Sequence, residues 1–216
     1  ERRNKTSHIY DEKEILSINN NIAILKNEMK KNIGFSIDDR ELIIPKELDE
    51  KKLEGLPYYN EATYTPHWLK AGDEELKNFH KIPAFSFLDQ DGKNITDKTF
   101  DGKIYVTSFF FTTCPGICPK MKVSLSTLQD YFKNDDQVLL LSHSVTPEAD
   151  SVSVLKEYAI KNGINSKKWH LVTGNRKEIY NLGRKFYFAE EDLGEERSDE
   201  AFLHTENFVL VDKNKH

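Results

Sequence analysis

Apolar residues fall along this chain in two rhythms. The stretches "KIYVTSFFFTT" from Lys103 and "QVLLLSHSV" from Gln137 are continuous apolar runs. Runs of this kind read as strands buried on both faces. "WHLVTG" from Trp169 and "NFVLVD" from Asn207 read as further strands. Between them the period lengthens. "KMKVSLSTLQDYF" sets Met121, Leu125, Leu128 and Phe132 at helical spacing. "PEADSVSVLKEYAIKNG" predicts a helix with Asp150 or Ser151 near its start and Gly163 beyond its end. "NRKEIYNLGRKF" predicts another, opened by Asn175 with Glu178 three residues on, a capping-box pattern. Ahead of these elements, "IPAFSFLDQDGKNIT" reads as a β-hairpin. Phe85, Phe87 and Ile95 lie in its strands, and Asp91-Gly92 supplies the turn. The order from Lys103 is therefore β-α-β-α-β-α-β behind a hairpin. That alternation predicts an α/β fold with a mainly parallel central sheet and helices on both faces.

Residues 1–55 have a different pattern. Ile15, Ile18, Ile22, Leu25 and Met29 form an apolar stripe at spacings of three and four. They predict a helix from about Asp11 that fades by Gly34. The stripe spans only about two heptads, fewer than a coiled coil needs. A helix docked on its own domain, or a stalk, is the expectation, with dimerisation as the alternative. "KELDEKKLEG" (Lys46 to Gly55) reads as a charged linker. The chain thus divides into an extension, 1–55, and a denser domain, 56–216.

Composition narrows the function classes. The 216 residues are 38 % hydrophobic and 31 % charged, with net charge −5 and pI near 5.9. That is ample for a packed core and wrong for a sequence-independent nucleic-acid surface. No stretch approaches the ~20 apolar residues of a transmembrane helix. The sequence begins at Glu1 without Met, as expected if a leader or anchor precedes it.

Two cysteines are present, Cys114 and Cys118, in "FFFTTCPGICP". They are too few for a disulfide scaffold and the right number for one redox pair or one metal site. Cys114 leaves a strand end. Cys118 stands at a helix start that Pro119 fixes, because Pro fits the first turn. In a regular turn their Cα atoms would lie about 6 Å apart, within disulfide range. The helix N-terminus favours thiolate and lowers the pKa of whichever sulfur faces it. Such a pair can cycle between dithiol and disulfide, bind a soft metal, or act as a staple. A staple closing so short a loop constrains little of the unfolded chain. The three-residue spacer "PGI" is longer than the Cys-x-x-Cys of disulfide oxidoreductases and leaves room for an ion.

A metal needs a further ligand. Of seven His, His204 in "AFLHTENFVLVD" has a placement argument. It lies just before the last strand, and the segment entering that strand is expected beside the Cys loop. His143, in mid-strand, reads as a core or face residue. His8, His67, His80, His170 and His216 have none. Two thiolates and one imidazole make a soft, three-coordinate set that selects copper(I), with copper(II) adding a weak ligand. Zinc would want a fourth ligand, a Cys₂His zinc site with an open position would be catalytic, and no suitably placed Glu or Asp offers the base for that chemistry. The acidic stretch "AEEDLGEERSDEAFL" before His204 carries Gly194 and few apolar anchors. It reads as a solvated surface loop, or as one that is mobile without metal and orders when His204 closes onto the thiols.

"FFFTTCPGICPKM" and "FLHTENFVLVD" resemble the Sco/SenC family of copper-binding cytochrome c oxidase assembly factors. "LPYYNEATYTPHWL" resembles the lead-in of bacterial members, and the likeness runs from about Leu56 to Lys213. The resemblance implies a thioredoxin-like fold with an N-terminal hairpin and a copper site of Cys114, Cys118 and His204. It implies delivery of copper to the dinuclear copper site of the oxidase subunit, or reduction of that site's cysteines by Cys114 and Cys118, with that copper-bearing subunit and other copper chaperones as partners. It also implies an N-terminal membrane anchor, a periplasmic (or intermembrane-space) location, and 1–55 as a membrane-proximal spacer. Three departures stand out. Thr146 precedes Pro147 where many members have Asp-Pro. No Pro precedes "NFVLVD", where thioredoxin has one. The sequence ends soon after the last strand where members continue, so the domain is expected to be C-terminally incomplete.

Overall fold

A computed structural model describes residues 36–37, 40–41, 57–69, 73–190, 198 and 201–216. The predicted helix through Ile15 to Met29, the linker 46–55 and most of the acidic stretch before His204 lie outside the described residues. The chain divides by contact into two units. The first, Glu1–Tyr58 with Pro66–Lys77, contains the antiparallel pair β1 (Ser36–Ile37) and β2 (Arg40–Glu41) and the single turn α1 (Glu74–Lys77). The second, Tyr59–Thr65 with Asn78–His216, carries the thiols.

The elements of the second unit follow the sequence pattern closely. The hairpin is β3 (Ser86–Asp89) and β4 (Asn94–Thr96). Its turn holds Gly92 at φ +71°, which favours Gly because it lacks Cβ. Asp89 closes that turn by accepting from the N–H groups of Asp91 and Lys93. Then come β5 (Ile104–Phe110), α2 (Cys118–Tyr131), β6 (Val138–Ser144), α3 (Val152–Lys161), β7 (Trp169–Thr173), α4 (Arg176–Lys185) and β8 (Val209–Val211). Every residue of β6 and β7 is buried, as continuous apolar runs require. Ser151 caps α3 by accepting from Val154 N–H, and Asn175 caps α4 by accepting from Glu178 N–H.

The sheet corrects one expectation. Its order is β4-β3-β7-β6-β5-β8, and only β7, β6 and β5 run parallel. The hairpin joins through β3, antiparallel to β7, and β8 runs antiparallel to β5. The sheet is therefore mixed. The physical reason lies in the connections: β8 is reached from α4 by a long loop, which releases it from the crossover geometry that keeps the middle strands parallel.

Side chains alternate across this sheet. Tyr105, Phe109, Leu139 and Leu141 join Ile179 and Leu182 of α4 in one cluster. Phe110, Leu140 and Leu171 join Leu125 of α2 and Leu155 of α3 in the other, together with both cysteines. Each fully buried Leu or Phe contributes about 1.5–3 kcal/mol. Gly183 lets α4 come down onto β5: a Cβ there would stand 2.9 Å from Phe109 and 3.3 Å from Leu203. The three-layer arrangement, with the Cys loop after the first parallel strand, is a thioredoxin-like fold with an added hairpin.

Candidate functional site

β5 delivers the chain to Cys114, and Cys118 is the first residue of α2. Pro119 occupies the first turn, and the N-cap Ile117 offers no side-chain acceptor. The backbone N–H groups at this helix start therefore need another partner. Cys114 supplies it. Burial pushes its thiol up, but hydrogen bonds from the Cys118 thiol and from the N–H groups of Cys118, Gly116 and Ile117 outweigh that. The net effect holds Cys114 below the ordinary thiol range. Cys118 moves the other way. Burial, together with the hydrogen bond and charge of Cys114, raises it to about 11. The two thiols share one buried cluster and shift each other's ionisation in opposite directions, and Cys114 is the sulfur that the helix start favours as thiolate. Both cysteines are free and buried.

Around the thiols the wall is aromatic and aliphatic. Phe110 shares their cluster, and Phe111, Ile117, Tyr158 and Phe208 pack against it. The Tyr158 ring lies 5.6 Å from Phe110. Burial raises its phenol to about 12, helped by the charges of Cys118, Asp150 and Cys114. Asp150 is itself buried and accepts a hydrogen bond from Thr112 N–H at 3.2 Å.

His204 stands on the segment entering β8. Because β8 is antiparallel, its first residue Val209 pairs with Thr107, toward the end of β5 that leads to Cys114. Phe202 links the two segments: its ring lies 5.6 Å from Phe111 and 6.3 Å from His204. The imidazole is exposed. Among the described residues no three His, Cys, Asp or Glu side chains gather within metal-binding reach. The structure brings Cys114 and Cys118 together and holds the His204 side chain apart from them.

The His204 segment is better anchored than its polarity suggested. Leu203 is fully buried in the core. Arg184 on α4 donates to Glu190 at 2.8 Å and also to the Ala201 carbonyl. The other oxygen of Glu190 accepts from His204 N–H at 2.9 Å. Thr205 and Asn207 both donate to the Ala189 carbonyl. The expectation of few apolar anchors gives way to one buried Leu and this polar clasp. No sequence signal marked the clasp.

The remaining described His serve elsewhere. His143 is fully buried, stacked 5.1 Å from the Phe109 ring, and neither ring nitrogen has a partner. It is a core residue, as its mid-strand position suggested. His170 contacts Asp89 at 3.2 Å, His80 the Phe186 carbonyl at 2.8 Å, and His216 Asp212 at 3.3 Å. His67 pairs with Tyr58 through the backbone. His8 lies outside the described residues.

Comparisons with known proteins agree with this architecture. The SCO1/SenC family model matches residues 73–216. A SCO1 protein homolog of Bacillus subtilis is 29 % identical over 144 residues, covering 65 % of this chain and 74 % of that protein. A Stutzerimonas stutzeri protein whose name provisionally describes it as copper-binding is 26 % identical over 137 residues, covering 60 % of this chain and 63 % of its own. The structure of BsSco, described as a Sco-family cytochrome c oxidase assembly protein with a disulfide switch, superposes with a TM-score of 0.52 at 30 % identity, over 63 % of this chain and 79 % of that one. A SCO1/SenC family lipoprotein from Bacillus anthracis gives a TM-score of 0.54 at 28 % identity, over 63 % and 80 %. With well over half its length matched by the family model, and with the paired thiols at the expected helix start, the chain belongs to the SCO1/SenC family.

Proposed function

We propose that this protein carries copper, held by Cys114, Cys118 and His204, and delivers it to the dinuclear copper site of cytochrome c oxidase during assembly. The observation that carries the reading is the pair of free, buried thiols in one cluster at a helix start without a side-chain cap, where Cys114 is favoured as thiolate. Two adjacent soft donors suit copper(I), and an added imidazole suits copper(II). His204 would complete the set by turning its exposed ring toward the sulfurs, a movement its anchored backbone restricts to the side chain and its near neighbours. The relatives support the cargo and the destination: one is named for copper binding and another is an oxidase assembly protein. The likeness to a lipoprotein supports a membrane-anchored protein, and action on the periplasmic side of a bacterial inner membrane is part of the proposal. No described helix is long and apolar enough to cross a membrane.

His204→Ala tests the ligand set. In competition against chelators of known affinity, copper(II) should weaken more than copper(I), because two thiolates can still hold copper(I) in a linear arrangement. Unchanged binding of both oxidation states would remove His204 from the site.

A second reading rests on the same contact. A low-pKa thiolate beside a protonated thiol is the arrangement for disulfide reduction. Cys114 would attack a disulfide on the oxidase subunit and release one of its thiols. Cys118 would then attack the mixed disulfide, release the second thiol and leave a Cys114–Cys118 disulfide. Reduction of an oxidase-derived disulfide peptide by copper-free protein, lost in Cys114→Ser, would favour it.

A further inference from the structure

We infer that Asp150 is a positioning residue for the thiol pair. Beyond Phe110, strand pairing between β5 and β6 ends with Val145 N–H donating to the Phe110 carbonyl at 2.9 Å. The chain must then cross from the strand to Cys114. In this crossing Thr112 is tied to a neighbouring segment, and the tie is Asp150. The carboxylate accepts from both Thr112 N–H and the Thr112 hydroxyl.

The carboxylate is itself held. Ser144 Oγ donates to it at 2.6 Å and Thr146 Oγ1 at 3.2 Å. Asp150 N–H donates to the Thr146 carbonyl at 2.9 Å. Asp150 is 1 % exposed, and its partners are hydroxyls and one N–H rather than a Lys or Arg. A polar group buried without a cation beside it needs such neutral partners to stay there. Neutral donors aimed at one carboxylate from the crossing after β5, from the end of β6 and from the turn before α3 lock three segments to one point. The first thiol follows two residues after that point. Asp150 also stands immediately before Ser151, the residue that caps α3, so the two side chains divide the labour: Ser151 starts the helix and Asp150 reaches back to the Cys loop.

The consequence is a fixed launch angle for Cys114 and hence a high effective concentration of its sulfur toward Cys118. Loosening the tie lowers that concentration and makes a Cys114–Cys118 disulfide easier to reduce. This rests on the two thiols being the working pair, and it holds whether or not copper is the cargo.

The test is the reduction potential of the metal-free full chain, equilibrated with glutathione. The two thiols lose two protons and two electrons to glutathione disulfide, which becomes two glutathione thiols. Asp150→Ala should shift the dithiol–disulfide equilibrium constant about tenfold, about 30 mV toward easier reduction. Thr112→Val, which removes one donor and keeps the shape, should shift it about threefold in the same direction. Unfolding midpoints measured alongside separate positioning from general stability, since weaker packing elsewhere leaves the potential unmoved. If Asp150→Ala does not fold, Thr112→Val decides alone. A Thr112→Val potential equal to wild type, or one moved toward harder reduction, overturns the inference. Loss of copper binding with an unmoved potential would leave the copper site standing and the positioning role refuted. A moved potential with no copper bound by wild type would refute the copper site alone.

Discussion

Cys114 and Cys118 have the same side chain and opposite chemistry. Cys114 receives hydrogen bonds from the helix start and is held below the ordinary thiol range, while Cys118 is raised to about 11. In wild-type protein at neutral pH, iodoacetamide should therefore label Cys114 first, read by peptide mass spectrometry. Earlier labelling of Cys118 would reverse the assignment. His143 makes a second residue-scale prediction. Phe85, Phe87, Phe109 and Tyr187 surround it with rings, and burial pushes its imidazole down to about 3. The folded pKa lies below the unfolded value of about 6.5. Its stabilising contribution is then whole above that pH and is lost as pH falls toward 3. One such group gives a slope of about 1.4 kcal/mol per pH unit inside that window. Denaturant unfolding at a series of pH values between 7 and 4 should show a shallower acid loss for His143→Leu. Equal slopes for the variant and wild type would show that His143 titrates normally.

At the scale of elements, the antiparallel run of β8 puts His204 at the right edge of the sheet. A parallel strand would have started at the opposite end. The clasp of Arg184, Glu190 and His204 then fixes that segment's backbone. Glu190→Ala removes a charge-assisted acceptor worth about 1.5–3 kcal/mol. Amide exchange at His204 should quicken tenfold or more, and copper(II) affinity should fall more than copper(I) affinity. Unchanged exchange would mean that Leu203 alone anchors the segment. Much of this level was legible beforehand. Continuous apolar runs gave β5 and β6, and Asn175 and Gly92 marked a helix start and a turn by local chemistry. The direction of β8 was hidden, because "NFVLVD" reads the same either way. The clasp was hidden too: Glu190 looked like one more acid in an acidic stretch, and nothing local pairs it with Arg184. Asp150 was visible only as a neighbour of a helix start, since its partner Thr112 lies 38 residues away.

For the whole molecule, the sheet divides two tasks. The face under α4 is a packed aromatic core that also buries Leu203, the anchor of the His204 segment. The other face, under α2 and α3, holds both thiols. The proposed site therefore sits where two independently anchored segments meet at the end of β5. The family resemblance was readable from the Cys block and the His204 stretch, because those motifs are local. How far the imidazole stands from the sulfurs was not readable, since it depends on loop packing. The central claim is that Cys114 and Cys118 together hold one copper ion. Copper per chain, measured after loading with copper(I) under reducing conditions and removing weakly held metal with a chelator, tests it most directly. The account predicts about one ion for wild type and a loss of tight binding in both Cys114→Ser and Cys118→Ser, because no third Cys exists to substitute. Near-stoichiometric copper in either single variant would contradict it.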